Sequence, residues 1–191
     1  MKKKIIVQFG RYPVDAEGKV VEPISWIVLE KTKEKMVMIS EQILDYKEFS
    51  ANGKNDWEQS DLKKWLNEEF FSQAFNDEEK AKMNDFGENE KVSLISFDDT
   101  FNTSYFPNLK SFKAKYTDYA KNKTKNIYGK VTTYEFGFWW LKSANVDYPL
   151  NPHQPFDTTI YVFHICNNGR LNGYMLAKNK EGVRPVICVT I

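Results

Sequence analysis

Two stretches of the C-terminal third decide the fold: Phe138-Trp139-Trp140-Leu141-Lys142-Ser143, and Gly182-Val183-Arg184-Pro185-Val186-Ile187, which leads to the last residue, Ile191. Successive side chains of a strand point to opposite faces of a sheet. Two adjacent indoles in a strand therefore need apolar cover on both sides. The second stretch predicts a strand that runs to Ile191 and is held in the sheet rather than trailing into solvent.

Composition limits the class of protein. The 191 residues contain 41% hydrophobic and 15% aromatic residues, which is ample for a substantial core, and 28% charged residues, which is typical of a soluble protein. The net charge is +1, so no whole-protein field attracts nucleic acid or an anionic membrane. We expect one domain spanning residues 1–191, with neither nucleic acid nor membrane as a partner.

The N-terminus has a basic start, but its apolar run, Ile5 to Val7, is too short for the roughly 7 to 15 residues of a secretory signal core. No stretch approaches the roughly 18 apolar residues of a membrane span. Cys166 and Cys188 alone make no disulfide framework. These features predict a cytoplasmic protein with two free thiols, unless an export signal has been removed.

The first half of the chain carries signals for a hairpin and then for helices. Apolar runs at Ile24–Leu29 and Met36–Ser40, separated by a charged stretch, predict two antiparallel strands. Ser60 is a good N-cap, and the apolar residues after it fall on one helical face: Leu62, Trp65, Leu66 and Phe70. Asn76 and Glu79 form a capping box for a second helix, which we expect to extend to about Met83.

The last third returns to strand signals. Apolar and β-branched runs predict strands at 136–143, 160–166, 171–177 and 183–191, with a tight turn at Asn168-Gly169. The sequence thus predicts an α+β fold. Its mixed or antiparallel sheet is formed by N- and C-terminal strands, and its helices come from the central region.

The order of these segments resembles an uncharacterised bacterial family that is known only as a domain of unknown function. Four blocks carry the resemblance over residues 8–191: Pro23–Leu29, the helix Ser60–Asn67, Trp139–Ser143 and Gly182–Pro185. Members of that family typically have a WWLRS-type strand and a terminal GVRP strand. Lys142 stands here where the family usually has Arg, which replaces a planar bidentate donor by a point charge.

The arrangement of the terminal strands is also distantly similar to C-type-lectin-like and sulfatase-modifying-factor-like folds. In those folds the N- and C-terminal strands pair, and long irregular loops carry the ligand. The resemblance implies a possible C-type-lectin-like architecture. It transfers no function, because one fold hosts many activities.

An enzymatic hypothesis rests on His164 and Cys166. These residues are two positions apart in a predicted strand, so their side chains point to the same face. The imidazole could then activate the thiol, as in a thiol-dependent enzyme. The structural interpretation is that both face a core, with an inert thiol and a hydrogen-bonded histidine. Residues i and i+2 of a strand are also rather far apart for a direct hydrogen bond.

Metal and nucleic-acid sites find little support. No CxxC or HExxH spacing appears, and no dense acidic loop supplies the oxygen ligands that calcium needs, so we expect no metal and no cofactor. The one basic stretch, with tyrosines interleaved, lacks arginine and is typical of a solvated face: Lys110, Lys113, Lys115, Lys121, Lys123, Lys125 and Lys130.

The best binding candidate is the loop 148–157, in which three prolines lower the cost of ordering. Together with the turn 167–170 it offers polar side chains for a glycan, a peptide or a protein: His153, Gln154, Asp157, Asn167, Asn168 and Arg170. Two hypotheses follow. The protein is a non-catalytic ligand- or partner-binding module, or alternatively a thiol-dependent enzyme that uses Cys166 and His164.

Overall fold

The computed structural model describes residues 4–145 and 157–191. Within them the strands are β1 (Ile6–Pro13), β2 (Val21–Lys31), β3 (Lys35–Ser40), β4 (Asp45–Glu48), β5 (Met83–Asn84), β6 (Val92–Ser93), β7 (Trp139–Ala144), β8 (Tyr161–Ile165), β9 (Leu171–Leu176), β10 (Lys180–Val183) and β11 (Val186–Thr190). The helices are α1 (Asp61–Trp65), α2 (Phe71–Ala74), α3 (Asp77–Lys82), α4 (Leu109–Phe112) and α5 (Asp118–Asn122). The fold is α+β, as predicted, with mostly antiparallel strands.

One sheet joins the two ends of the chain. Its strand order is β1-β2-β3-β11-β5, and β6 also pairs with β11. The hairpin predicted near the start forms between β2 and β3, with Ile27 opposite Ile39. The C-terminal strand β11 then pairs antiparallel with β3, placing Ile187 opposite Met38. N- and C-terminal strands thus share a sheet, which confirms the prediction.

A second sheet, ordered β4-β10-β7-β8-β9, is built mainly from the last third of the chain. β10 runs parallel to β7, with Gly182 opposite Trp139, whereas the other pairs are antiparallel. The predicted single strand 183–191 is therefore divided between two sheets. The break falls at Arg184-Pro185, where proline has no N–H to donate to a ladder.

The tandem tryptophans are fully buried on opposite faces of β7, as the sequence predicts. Trp140 belongs to a core cluster with Trp26 and Val183, while Trp139 belongs to a second cluster with Ile27. Both clusters draw on both sheets. In both β2 and β7, two adjacent residues thus belong to different clusters, because successive side chains of a strand point to opposite faces.

The helix predicted after Ser60 is present. The Ser60 side chain accepts a hydrogen bond from the Lys63 N–H, and α1 continues through a π-helical turn, Leu66–Phe70, into α2. The four residues of the predicted apolar face are all buried: Leu62, Trp65, Leu66 and Phe70. This face packs into the cluster that contains Trp140.

The capping box of Asn76 and Glu79 is also present at the start of α3. This helix ends at Lys82, because Met83 already has extended backbone and pairs with Val189 as part of β5. Among the residues described, none of the helices has the length and apolar character needed to cross a bilayer.

Candidate functional site

The structure separates the predicted binding residues. His153 and Gln154 lie outside the described residues. Asp157 is exposed and precedes β8, where its carboxylate accepts a hydrogen bond of 2.9 Å from the Thr159 N–H and lies 3.8 Å from Lys54 Nζ. The hydrogen bonds from Thr159, first of all the one from its side chain, lower the pKa of Asp157.

Asn167, Asn168 and Arg170 belong to the turn that follows β8. Asn168 Oδ1 accepts a hydrogen bond of 2.9 Å from the Arg170 N–H, so this side chain shapes the turn itself. Gly169 has a φ of +88°, and a Cβ there would lie 2.2 Å from the Leu109 carbonyl oxygen. The turn is thus packed on α4. It lies at the far end of β8 from Asp157, and the two groups do not converge.

His164 lies in β8 and Cys166 follows the end of that strand, with 4.0 Å between the thiol Sγ and the imidazole Nε2. A third group, which the sequence did not indicate, extends this pair to a row of three side chains: Cys166, His164 and Glu181. Glu181 of β10 places Oε1 3.8 Å from His164 Nδ1. His164 Nδ1 is buried and has no hydrogen-bond partner among the described residues.

The protonation states of this row do not favour an activated thiol. Burial lowers the pKa of the His164 imidazole to about 4 and raises that of the Glu181 carboxyl to about 8. Burial, and then the proximity of Glu181, also raises the pKa of the Cys166 thiol. At neutral pH the row therefore consists of a neutral acid, a neutral imidazole and a thiol, whereas the nucleophile of a cysteine enzyme is the thiolate.

Lys142 has acidic and hydroxyl partners. Its Nζ lies 3.6 Å from Glu90 Oε1 and donates a hydrogen bond of 3.2 Å to Ser93 Oγ. Glu90 is buried and also accepts a bond of 3.1 Å from the Trp57 indole N–H. The point charge at position 142 thus still joins β7 to a buried carboxylate.

A large cavity lies elsewhere, between the first sheet and the segment 103–111. Its volume is about 1210 Å³, somewhat above the 300–1,000 Å³ typical of small-molecule sites. The residues that line it are mostly apolar or basic: Lys4, Ile5, Ile27, Val28, Leu29, Lys31, Ile39, Thr103, Ser104, Tyr105, Phe106, Pro107, Asn108, Leu109, Lys110, Ser111 and Arg184.

The wall opposite the sheet is held by three kinds of contact. The buried Phe106 ring stacks on Phe112, with ring centroids 4.3 Å apart. The Tyr105 hydroxyl donates a hydrogen bond of 2.7 Å to Glu30 Oε2 near the end of β2. Asn108 caps the short helix α4 with its side chain. The wall therefore has a defined conformation beside the sheet.

Arg184 lines this cavity and is only 1% exposed. Its Nε donates a hydrogen bond of 2.8 Å to the Ser40 carbonyl, and its Nη1 donates one of 3.4 Å to the Phe112 carbonyl. Its guanidinium also lies over the Trp139 ring. Within residues 4–145 and 157–191, Nη2 makes no hydrogen bond.

The cavity carries an excess of positive charge. Burial lowers the pKa of Arg184 to about 9 against the opposing effect of the Glu41 charge, so the guanidinium keeps its charge at neutral pH. Among the described residues no carboxylate oxygen lies within 4.0 Å of it, and Lys4, Lys31 and Lys110 add exposed cations. Among residues 4–145 and 157–191, those that line the cavity include no Asp or Glu.

The sequence predicts no site here. It places Arg184 inside a terminal strand, and the segment 103–111 carries only weak helix and turn signals. A usable signal was present, since an arginine within an apolar run and before a proline has no place in a central strand ladder. The position of the cavity itself depends on long-range packing.

Comparison with known proteins identifies the family and no activity. Residues 33–191 match the family described as "Domain of unknown function (DUF6273)". No curated protein and no solved structure matches the chain. The matched range contains β3 to β11 and Arg184, and it covers well over half of the chain. The chain therefore belongs to the DUF6273 family of domains of unknown function.

Proposed function

We propose that the protein is a non-catalytic binding module whose site is the cavity between β2, β3 and the segment 103–111. The observation that carries this proposal is the combination of a 1210 Å³ apolar cavity and a buried arginine that no carboxylate oxygen contacts within the described residues. Pockets with apolar walls and a few fixed polar groups are typical of small-molecule sites.

The apolar lining favours a small molecule with an apolar body over the glycan that the polar loop residues suggest. Ile5 and Leu109, which line the cavity, are more than half exposed, so the cavity wall presents apolar surface to solvent. A glycan would bring hydroxyl groups that such a wall leaves without partners.

The protonation states around Cys166 weigh against the alternative, a thiol-dependent enzyme. Its activation would need a lowered thiol pKa, and the surroundings of Cys166 raise it. We retain, as parts of the proposal, a bacterial origin, a cytoplasmic location and a possible C-type-lectin-like architecture.

Titration with the neutral apolar dye Nile red tests the site. The fluorescence of the dye should rise and shift to the blue on binding. We expect the double variant Ile5→Ser and Leu109→Ser to bind at least about fivefold more weakly, because it removes apolar surface from the wall.

Ile127→Ser is the matched control, since Ile127 is 91% exposed and lies outside the cavity lining. It should leave the dye affinity unchanged. Absence of dye binding by the wild-type protein, or equal affinity of the double variant and the wild type, would overturn the proposal.

A further inference from the structure

We propose that the ligand of this cavity is a small amphipathic carboxylate, whose head group binds Arg184 and whose apolar part lies against Ile5, Leu29 and Leu109. The inference rests on the proposed function and names the class of ligand. It is carried by the unused donors of Arg184, by the sign of the charges around the cavity and by its apolar walls.

The donors of Arg184 define the head group. A guanidinium has five N–H donors, of which Nε uses its one and Nη1 uses one of two on backbone carbonyls. Both N–H groups of Nη2 and one of Nη1 have no partner among the described residues. Neighbouring donors on Nη1 and Nη2 match the two oxygens of a carboxylate.

The fixed position of the guanidinium favours binding. The bonds to Ser40 and Phe112 and the contact with Trp139 hold it before a ligand arrives, so little side-chain entropy is lost. Among the described residues, Glu41 acts on Arg184 only from beyond 4.0 Å, and a buried cation without a directly bonded carboxylate is costly. A bound carboxylate would supply that direct contact.

The charge and polarity of the lining decide between ligand classes. The described lining residues include four cations and no carboxylate, which disfavours a cationic ligand on electrostatic grounds. A phosphate monoester carries close to two negative charges at neutral pH, and it would lose more hydration beside the single buried arginine than a carboxylate does. The apolar walls need a ligand with a hydrocarbon or aromatic body.

Displacement of Nile red by three matched compounds tests this class: decanoate, methyl decanoate and decanol, all below the concentration at which they form micelles. We expect decanoate to compete about tenfold more strongly than the ester or the alcohol, because only decanoate forms charge-assisted hydrogen bonds. Equal competition by the three would overturn the carboxylate class while leaving the dye site, and hence the proposed function, in place.

Arg184→Met keeps an apolar side chain of similar length and removes the charge. It should still bind Nile red but should lose the preference for decanoate. If this variant does not fold, the wild-type comparison of the three compounds decides alone. Stronger competition by decyl phosphate than by decanoate would overturn the proposal, as would a retained preference in folded Arg184→Met.

Lys110→Met is the control for general positive charge. It removes an exposed cation that lines the same cavity. We expect decanoate competition to weaken by less than about threefold, since exposed ion pairs contribute little. If Lys110→Met weakened decanoate competition as much as Arg184→Met does, the head group would bind near Lys110, and its placement on Arg184 would be overturned.

Discussion

The guanidinium carbon of Arg184 lies 5.0 Å from the centroid of the Trp139 ring. This contact joins the stretch 182–187 to the stretch 138–143, and it crosses from the link between the sheets to the centre of the second sheet. A cation over an indole face gains electrostatic energy, more so where water is excluded. The contact therefore stabilises a buried charge that no carboxylate oxygen contacts within the described residues.

The final strand is predicted to be essential for folding. β11 pairs with β3 on one side and with β5 and β6 on the other. Deletion of residues 184–191 leaves the ladder groups of these strands unpaired, and we expect no cooperative thermal transition by circular dichroism. Deletion of Ile191 alone, which is more than half exposed, is the control and should retain the transition. A melting temperature unchanged by the longer deletion would refute the role of β11.

Trp65 is predicted to anchor the first helix. Its ring lies 5.5 Å from that of Phe70 and has the Lys47 ammonium 4.4 Å from its centroid. Trp65→Ala should lower the free energy of unfolding by about 3–5 kcal/mol, measured by urea denaturation. Lys64→Ala changes an exposed neighbour and should cost less than about 0.5 kcal/mol. Equal stability of the two variants would contradict the packing described for the helix.

The buried Glu181 predicts a loss of stability as pH rises. With a folded-state pKa of about 8, the folded protein keeps a proton that the unfolded chain has already released, so the free energy of unfolding falls as pH rises towards 8. His164 has the opposite effect between about pH 4 and 6.5, because only the unfolded chain binds its proton there. Above about pH 6.5 the effect of Glu181 should dominate and amount to roughly 2 kcal/mol.

Thermal or urea unfolding between about pH 6.5 and 8.5 measures this effect. Glu181→Gln cannot ionise and should have a flatter profile, while Glu88→Gln, at an exposed position, should follow the wild type. A wild-type stability that rises over this range, or a profile that Glu181→Gln leaves unchanged, would contradict the proposed protonation of Glu181.

Cys166 is predicted to react slowly with alkylating agents. Its half-buried position and its proximity to Glu181 raise the thiol pKa, so the thiolate is scarce at neutral pH. In a Cys188→Ala variant, iodoacetamide should modify Cys166 more slowly than it modifies N-acetylcysteine. Rapid modification that abolishes a measurable turnover would instead support the thiol-dependent enzyme.

Local signals in the sequence were sufficient to predict helix caps and the buried faces of helices and strands. Ser60 and Asn76 cap the helices that they precede, and the alternation of Trp139 and Trp140 places each in a different core cluster. These features depend on neighbours in the chain, so spacing alone predicts them.

Features that depend on long-range pairing were not predictable in this way. Glu181 lies in β10 and His164 lies in β8, and these two strands flank β7 in the second sheet. The two side chains come close only because of this strand order. Arg184 lines the cavity because the strand divides at Pro185 and its two halves enter different sheets. The direction of such a division depends on packing across the whole domain.

Nuclear magnetic resonance of the ¹⁵N-labelled protein during titration with decanoate tests the cavity site most directly. We expect the largest shift changes at the Arg184 Nε–H and at the amides of Ile27, Ile39, Tyr105 and Leu109, which line the cavity. Shift changes confined to residues 157–170, or no change at the cavity amides, would contradict this expectation.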